Sequence, residues 1–407
     1  MRAIGQKRNF NSATCLKKYA ALVSLSGMSQ STPSFTLGIE EEYLLVDRDS
    51  RDAASDPPQE IFEECESRAG GDGLVEHELL RSQIEVDTRV CHSVAEARED
   101  LARLRRLTSD VAARYGLAPI AASTHPFADW HMQQRTDGAR FQLIARDMRS
   151  LSRRNLVCGM HVHVGIEDDD LRVELMNQFT HYLPLLLALS TSSPFWRGGN
   201  TGLKSYRLTV FDGFPRTGLP ERFTNYADYK HNIGILRRAG VISDATFIWW
   251  DLRISARFPT LESRIADMCT RLDDAASIAA LTQCILHYLY RMHRQGKRCR
   301  VYPRFLINQN RWHAMRYGCD EGMVDFDDAR IVPVAELLSE IVEKVSIDAE
   351  ALGCMVELEH SLQIPRRGTS ANLQIDCYKR ALRQGKSPAN ALHDVVDWLI
   401  TETVRDL

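Results

Sequence analysis

Four short stretches of this chain alternate apolar and polar residues with period two, and their polar positions carry the donor atoms of a metal site. In FTLGIEEEYLLVD (35–47) the β-branched and aromatic residues predict a strand. Strand geometry sends Glu40 and Glu42 to one face, about 6.7 Å apart. In LLRSQIEVDT (79–88), Ile84 and Val86 face one way while Gln83, Glu85 and Asp87 face the other. In CGMHVHVGI (158–166), Met160, Val162 and Val164 leave His161 and His163 together on the polar side. In FPTLESRIAD (258–267), Leu261, Ser263 and Ile265 oppose Thr260, Glu262 and Arg264. A strand face turned to solvent is usually filled with Lys, Thr, Ser and Arg. These faces instead supply carboxylates and imidazoles, which suggests one carboxylate-lined sheet that holds hard divalent cations. Oxygen donors with one or two imidazoles suit Mg²⁺, with Mn²⁺ as the alternative, better than Zn²⁺, which draws Cys or more His.

The rest of the chain narrows the setting. Its 407 residues, 44% hydrophobic and 26% charged, have the composition of a globular protein, and the net charge of −3 does not steer the whole molecule toward nucleic acid or anionic lipid. The ten cysteines are scattered without a Cys-x-x-Cys pair, so neither a zinc knuckle nor a disulfide framework is indicated, and reduced thiols in a cytoplasmic protein are expected. No run of about 18 apolar residues predicts a membrane span. Residues 1–33 read as a disordered extension or an over-long start, with Met28 as the alternative initiator. One catalytic domain is expected over residues 34–407. Helices are predicted at Val94 to Tyr115 (Ser93 and Glu96 as a capping box, Gly116 as the stop), 170–190, 273–295, 334–352, 370–384 and 388–405.

Divalent cations beside arginines are what phosphoryl transfer from ATP requires, because the metals bridge phosphate oxygens and guanidinium groups neutralise the developing charge. No phosphate loop is present: in GGNTGLKS (198–205), Leu203 separates the glycine from Lys204 and no apolar strand leads in. A Gly-x-Gly-x-x-Gly after a strand is also missing, which removes the usual dinucleotide reading. Phosphates, if bound, are held by metals and arginines.

With these residues in view, the sequence resembles the glutamate-cysteine ligase type 2 family, the YbdK-type bacterial carboxylate-amine ligases. The resemblance runs through FTLGIEEEYLLVD, ELLRSQIEVDTRVC, CGMHVHVGI, STSSPFWRGGNTGLKSYR, PTLESRIADMC, NRWHAMRYG and the C-terminal helices, over about residues 34–405. It implies an α+β fold with a glutamine-synthetase-like core: a curved antiparallel funnel of about six strands with helices packed on its outer face. It also implies Mg²⁺-dependent phosphorylation of the γ-carboxylate of L-glutamate by ATP and displacement of phosphate by the amine of L-cysteine, or another amine, in a cytoplasmic homodimer. Carried over by motif, Glu40, Glu42, Glu78, Glu85, His161 and Glu262 are implied metal ligands. Arg207 in SYR and Arg264 in ESR are implied clamps on the phosphate and acyl-phosphate, Glu262 joins them in the catalytic set, and Arg253, His163 and Gln83 are implied contacts to substrate or ATP. Two positions depart from the family pattern: Asn200 stands where Asp is common, and Ser263 where Val is usual.

Several residues carry two readings. His163 is either a second metal ligand or a group that orients His161 or a metal-bound water. Asp87 lies near its strand end and reads as a cap or surface carboxylate. Glu41 points opposite to Glu40 and Glu42, so it should meet a structural arginine or lie at an interface. Trp196 and Trp249 read as core more readily than as pocket walls. Cys158 has no neighbouring base and does not read as a nucleophile. Two rival functions remain: a zinc amide hydrolase built on His161 and His163, and a non-catalytic nucleotide or amino-acid sensor that keeps the fold.

Overall fold

The strand that carries Glu40 and Glu42 is the centre of the architecture. In a computed structural model that describes residues 32–71 and 74–407, it runs as β1 (Leu37–Asp47). Around it lie β2 (Val75–His77), β3 (Gln83–Asp87), β4 (Leu117–Ile120), β5 (Met160–Gly165), β6 (Leu252–Ile254) and β7 (Thr260–Ser263). They form one seven-stranded sheet in the order β2-β3-β1-β5-β7-β6, with β4 also paired to β1. Every pairing is antiparallel. One edge of β1 pairs with β3, and the other pairs first with β5 and then with β4.

Register decides which side chains share a face, because residues directly opposite in an antiparallel pair point the same way. The pairs Glu76↔Glu85 and Glu85↔Glu42 place three carboxylates in one row. Asp87↔Glu40 and Glu40↔His161 make a second row, and His163↔Glu262 with Glu262↔Arg253 a third. The opposite face carries Ile39, Tyr43, Ile84, Val86, Met160, Val162 and Leu261, all buried. Helices α2 (Val94–Ala113) and α8 (Leu272–Arg294) pack behind this face. The apolar stripe of α2 (Ala97, Leu101, Leu104, Val111) is wholly buried there.

Further helices include α1 (Gln59–Ala69), α3 (Ala139–Met148), α4 (Asp169–Phe179), α5 (Leu183–Ser190), α6 (Arg207–Phe211), α7 (Tyr226–Arg238), α9 (Arg304–Tyr317), α10 (Val334–Leu352), α11 (Ser370–Arg383) and α12 (Pro388–Thr403), beside short unnumbered turns of helix at Ser150–Arg153, Met355–His360 and Gln363–Arg367. The start of α2 uses Ser93 as expected, its Oγ accepting from the Glu96 N–H, but the Glu96 carboxylate reaches the N–H of His92 instead of closing a full capping box. Gly116, with φ of 72°, follows its end. The single helix predicted over 170–190 is broken into α4, a 3₁₀ turn at Thr180–Tyr182, and α5. Pro184 explains the break, since it has no N–H to donate and its ring crowds the carbonyl one turn earlier.

Two predicted strands are shorter than the sequence suggested. The 79–88 run pairs as β3 only from Gln83, because Leu79 and Arg81 bond instead to the backbone of Thr136 and Gln134. The 258–267 run is regular strand only to Ser263; beyond it the Arg264 N–H still bonds to the Asp251 carbonyl, and Asp267 meets Gly159 in an isolated antiparallel bridge. The reading of residues 1–33 falls almost wholly outside the described residues. Among the described residues no helix is long and apolar enough to cross a membrane.

Candidate active site

The polar face of the sheet lines a cavity of about 320 Å³. Glu40 and Glu42 of β1, Glu78 after β2, Glu85 and Asp87 of β3, His161 and His163 of β5, and Glu262, Arg264 and Arg253 of the β6–β7 hairpin all face it. An inner compartment of about 120 Å³ shares Glu42, Glu78, His161 and Arg264 as walls and adds Arg207 from α6. Period-two placement therefore gathers residues from positions 40 to 264 of the chain into one space.

The two sides of this space differ in charge. On the β7 side the charges are paired. Glu262 accepts from Arg253 Nε at 2.6 Å and from Arg264 Nη1 at 2.5 Å. Despite burial, these two guanidinium groups hold its carboxyl far below the usual carboxylate range. Glu40 accepts from His161 Nδ1 at 2.6 Å and from His163 Nε2 at 2.8 Å. Burial opposes ionisation there too, but the two imidazoles keep Glu40 well below the ordinary value.

On the β3 side the carboxylates outnumber their partners. Burial, reinforced by Glu78, pushes Glu42 up to about 8. Burial with Asp87 and Glu78 raises Glu85 well above the usual range, and burial with Glu40 pushes Asp87 up to about 9. Deprotonated, this group needs a cation. His161 is held neutral, lowered to about 4 by burial and by Arg264, and a neutral imidazole is the form that ligates metal.

Three sets of donor atoms converge within 4.8 Å of one another: Glu40, His163 and Glu262; Glu40, Glu85 and Asp87; and Glu42, Glu78 and Glu85. His161 Nε2 and Asp87 Oδ1 are buried without hydrogen-bond partners, and His161 Nε2 lies 3.7 Å from Glu42 Oε1. Orphaned donors of this kind are costly unless a ligand meets them. The residues present therefore fit hard divalent cations such as Mg²⁺.

Not every expectation matches its placement. Gln83 lines neither compartment. Its amide donates to the Val157 carbonyl at 2.7 Å, and it pairs across the sheet with the buried Leu44, where the polar face has already closed. Arg253 is committed to Glu262 and, at 2.9 Å, to the Ile248 carbonyl, so it holds a carboxylate of the protein instead of standing free for one from a substrate. Asp87 is a cavity residue, not a surface cap. Trp249 lines both compartments, whereas Trp196 packs on the core beside Tyr206. Cys158 is buried, and burial holds its thiol well above the ordinary value, which fits an inert cysteine. Asn200 lies exposed in a two-residue ribbon and accepts from the Gly202 N–H.

Sequence reasoning missed Arg140 and Phe141 of α3, which cover both compartments. Arg140 donates to Thr246 Oγ1 at 3.0 Å and has no carboxylate partner among the described residues. Only tertiary packing brings this helix over the sheet, so no local pattern announces it. Glu76 was missed as well, although the alternation Val75-Glu76-His77-Glu78 carried a period-two signal.

Comparison with known proteins decides the family, because the profile of Glutamate-cysteine ligase family 2 (GCS2) matches residues 36–392. The chain belongs to this family. A relative from Rhodospirillum rubrum, named "Putative glutamate--cysteine ligase 2", is 53% identical over 377 residues, covering 92% of this chain and 97% of the relative. One of the same name from Paracoccus denitrificans is 48% identical over 375 residues, covering 92% and 99%. Among solved structures, glutamate-cysteine ligase from Francisella tularensis in complex with AMP superposes with a TM-score of 0.64 at 13% identity, covering 91% of this chain and 89% of that one. A bifunctional glutathione synthetase from Pasteurella multocida gives 0.65 at 13% identity, covering 91% and 53%. These two share the fold, the helix-backed antiparallel sheet that the family resemblance implied.

Proposed function

We propose that this chain is an ATP-dependent carboxylate-amine ligase that joins L-glutamate to L-cysteine. ATP transfers its γ-phosphoryl group to the γ-carboxylate of glutamate, releasing ADP. The cysteine amine then attacks the acyl carbon and phosphate leaves, giving γ-glutamylcysteine. The observation that carries this reading is one cavity with an uncompensated carboxylate cluster on one side and Arg207 and Arg264 on the other. A cation site facing guanidinium groups is the environment a transferring phosphoryl group needs. Family membership supports the same reaction.

In this reading Glu40, Glu42, Glu78, Glu85, His161 and Glu262 hold Mg²⁺ or Mn²⁺, with His163 and Asp87 added from the donor sets. A cation held by these residues would supply positive charge to offset that of the phosphate oxygens. Arg264 offers Nε, buried and without a partner, to the transferring group. Arg207 approaches from the inner compartment. Arg140, which has no carboxylate partner among the described residues, offers its guanidinium to a substrate carboxylate. The zinc-hydrolase reading gains no support, since no donor set among the described residues combines His161 with His163.

Residues 34–407 are the catalytic domain of a cytoplasmic homodimer in this proposal. Deleting residues 1–27 then leaves activity intact, and a monomer by light scattering removes the dimer. The deciding assay follows ADP release with Mg²⁺-ATP and glutamate across amino acids and amines as acceptors. Stoichiometric γ-glutamyl product is expected. Amide hydrolysis without ATP, full activity with Zn²⁺ alone, or binding without turnover overturns the proposal.

A further inference from the structure

Arg207 reaches the inner compartment through a gap in the side-chain packing. Its guanidinium is buried, with Nη2 donating to the Arg264 carbonyl at 3.1 Å and Nη1 to the Ile265 carbonyl at 3.3 Å. Its backbone N–H is held by Ser193 Oγ, which donates in turn to buried Asp267. The group is therefore fixed at both ends. It lies directly over Gly159, where a Cβ would stand 2.3 Å from Nη2 and 2.9 Å from Cζ. Non-bonded carbon contacts need about 3.5 Å or more, so any side chain at 159 displaces the guanidinium by about 1 Å.

Backbone conformation does not explain this glycine, because Gly159 is not among the glycines with positive φ. Gly38, opposite His163 on the same face, makes a useful contrast: a Cβ there would meet His163 Cβ at 3.6 Å, an ordinary contact. The N–H of Gly159 also donates to Glu42 Oε2 at 2.6 Å, but every residue except proline retains that donor. The missing side chain is what Arg207 requires.

We infer that Gly159 is a positioning residue for the reaction, which sets the Arg207 guanidinium against the transferring group by leaving it room; this rests on the proposed role of Arg207. A displacement of about 1 Å in a catalytic group can cost on the order of 10²-fold in rate. Gly159→Ala should therefore lower kcat by roughly 10²-fold with little change in KM for ATP. Binding of Mn²⁺, followed by its paramagnetic resonance signal, should stay within about threefold, since the N–H to Glu42 is kept.

The test compares Gly159→Ala, Arg207→Ala and the double variant for kcat, KM, Mn²⁺ affinity and thermal unfolding. The double variant is expected to match Arg207→Ala in every readout, because without the guanidinium there is nothing left to displace. If Gly159→Ala folds poorly, the double variant should recover the melting temperature of Arg207→Ala. Four results overturn the inference: near-normal turnover of Gly159→Ala while Arg207→Ala is impaired; a double variant well below both singles; a melting temperature that stays low in the double variant; or a tenfold loss of Mn²⁺ affinity in Gly159→Ala. Normal turnover of Arg207→Ala overturns the proposed role of Arg207 itself, and with it the inference.

Discussion

Glu41 and Glu42 are neighbours on one strand, yet they occupy opposite electrostatic worlds. Glu41 points to the helix-backed face, where its side chain and that of Arg105 are both fully buried. Arg105 donates Nε and Nη2 to it at 2.8 and 2.5 Å, and spends its remaining donors on the carbonyls of Cys269, Thr270 and Thr403. Tyr43 completes the set through its hydroxyl. Glu42 points to the cavity face, where it converges with the carboxylates of Glu78 and Glu85 and accepts a hydrogen bond from the backbone N–H of Gly159, with no guanidinium hydrogen-bonded to it among the described residues. A buried charge closed by its own partners holds the fold together; one left open invites a ligand.

Exchanging charge for shape at these two positions should give opposite outcomes. Glu41→Gln leaves Arg105 buried and unpaired, which typically costs about 3–5 kcal/mol. Denaturant unfolding should report that loss. Glu42→Gln replaces a carboxyl that the metal-free fold holds protonated below about pH 8, so stability should hold or rise while turnover, which needs the carboxylate, is abolished. Loss of folding in Glu42→Gln, or normal turnover with ordinary Mg²⁺, breaks the contrast.

Arg264 belongs to the cavity face but is answered there by Glu262. Replacing it with Lys keeps the charge and loses the planar fork. Turnover should fall by roughly 10²-fold, as removing a preorganised donor typically does, with ATP affinity nearly kept. Steady-state kinetics beside nucleotide binding separate the two. An unfolded Arg264→Lys protein would place this residue with Arg105 as a structural group.

The contrast between faces was legible in the sequence because strand parity needs no knowledge of the partners. Glu40, Glu42, Glu85, His161, His163 and Glu262 followed from period two alone. Parity says nothing about where a face ends, and there the reading failed. Gln83 has the parity of Glu85, but its cross-strand neighbour is Leu44, so it lies where the apolar interior resumes. Asp87 looked terminal, but its register places it opposite Glu40, in the middle of the site. Arg105 and Arg140 could not be assigned at all, since both come from helices whose docking is set by packing distant in sequence.

The open charge should also make stability respond to pH and to metal. In the metal-free fold Glu42 titrates at about 8, above its ordinary 4.5, because of burial and the nearby Glu78. A raised carboxyl favours the folded state at low pH, and that stability is lost as pH rises from about 4.5 through about 8. Each such proton changes stability by at most about 1.4 kcal/mol per pH unit. Urea midpoints with a chelator should therefore fall between about pH 6.5 and 8, above the range in which His125, His161 and His181, each lowered to about 4 by burial, oppose the slope. Saturating Mg²⁺ should flatten the slope, since the cation takes the place of the proton, and Glu42→Gln should reduce it without metal. A midpoint that rises over that range in the metal-free protein contradicts the charge excess on the β3 side.

The smallest expected effect lies on the closed face. Tyr43→Phe removes one hydroxyl donor to Glu41 and leaves the ring in the core. Glu41 keeps both guanidinium bonds from Arg105, so no charge becomes unpaired. The cost should be that of one hydrogen bond, about 1 kcal/mol. Turnover should not change, because the hydroxyl lies across the sheet from the cavity. Unfolding and kinetics on this variant sharpen the comparison: a loss as large as that of Glu41→Gln shows that Arg105 alone does not close the charge, and a loss of turnover shows that the two faces communicate through β1.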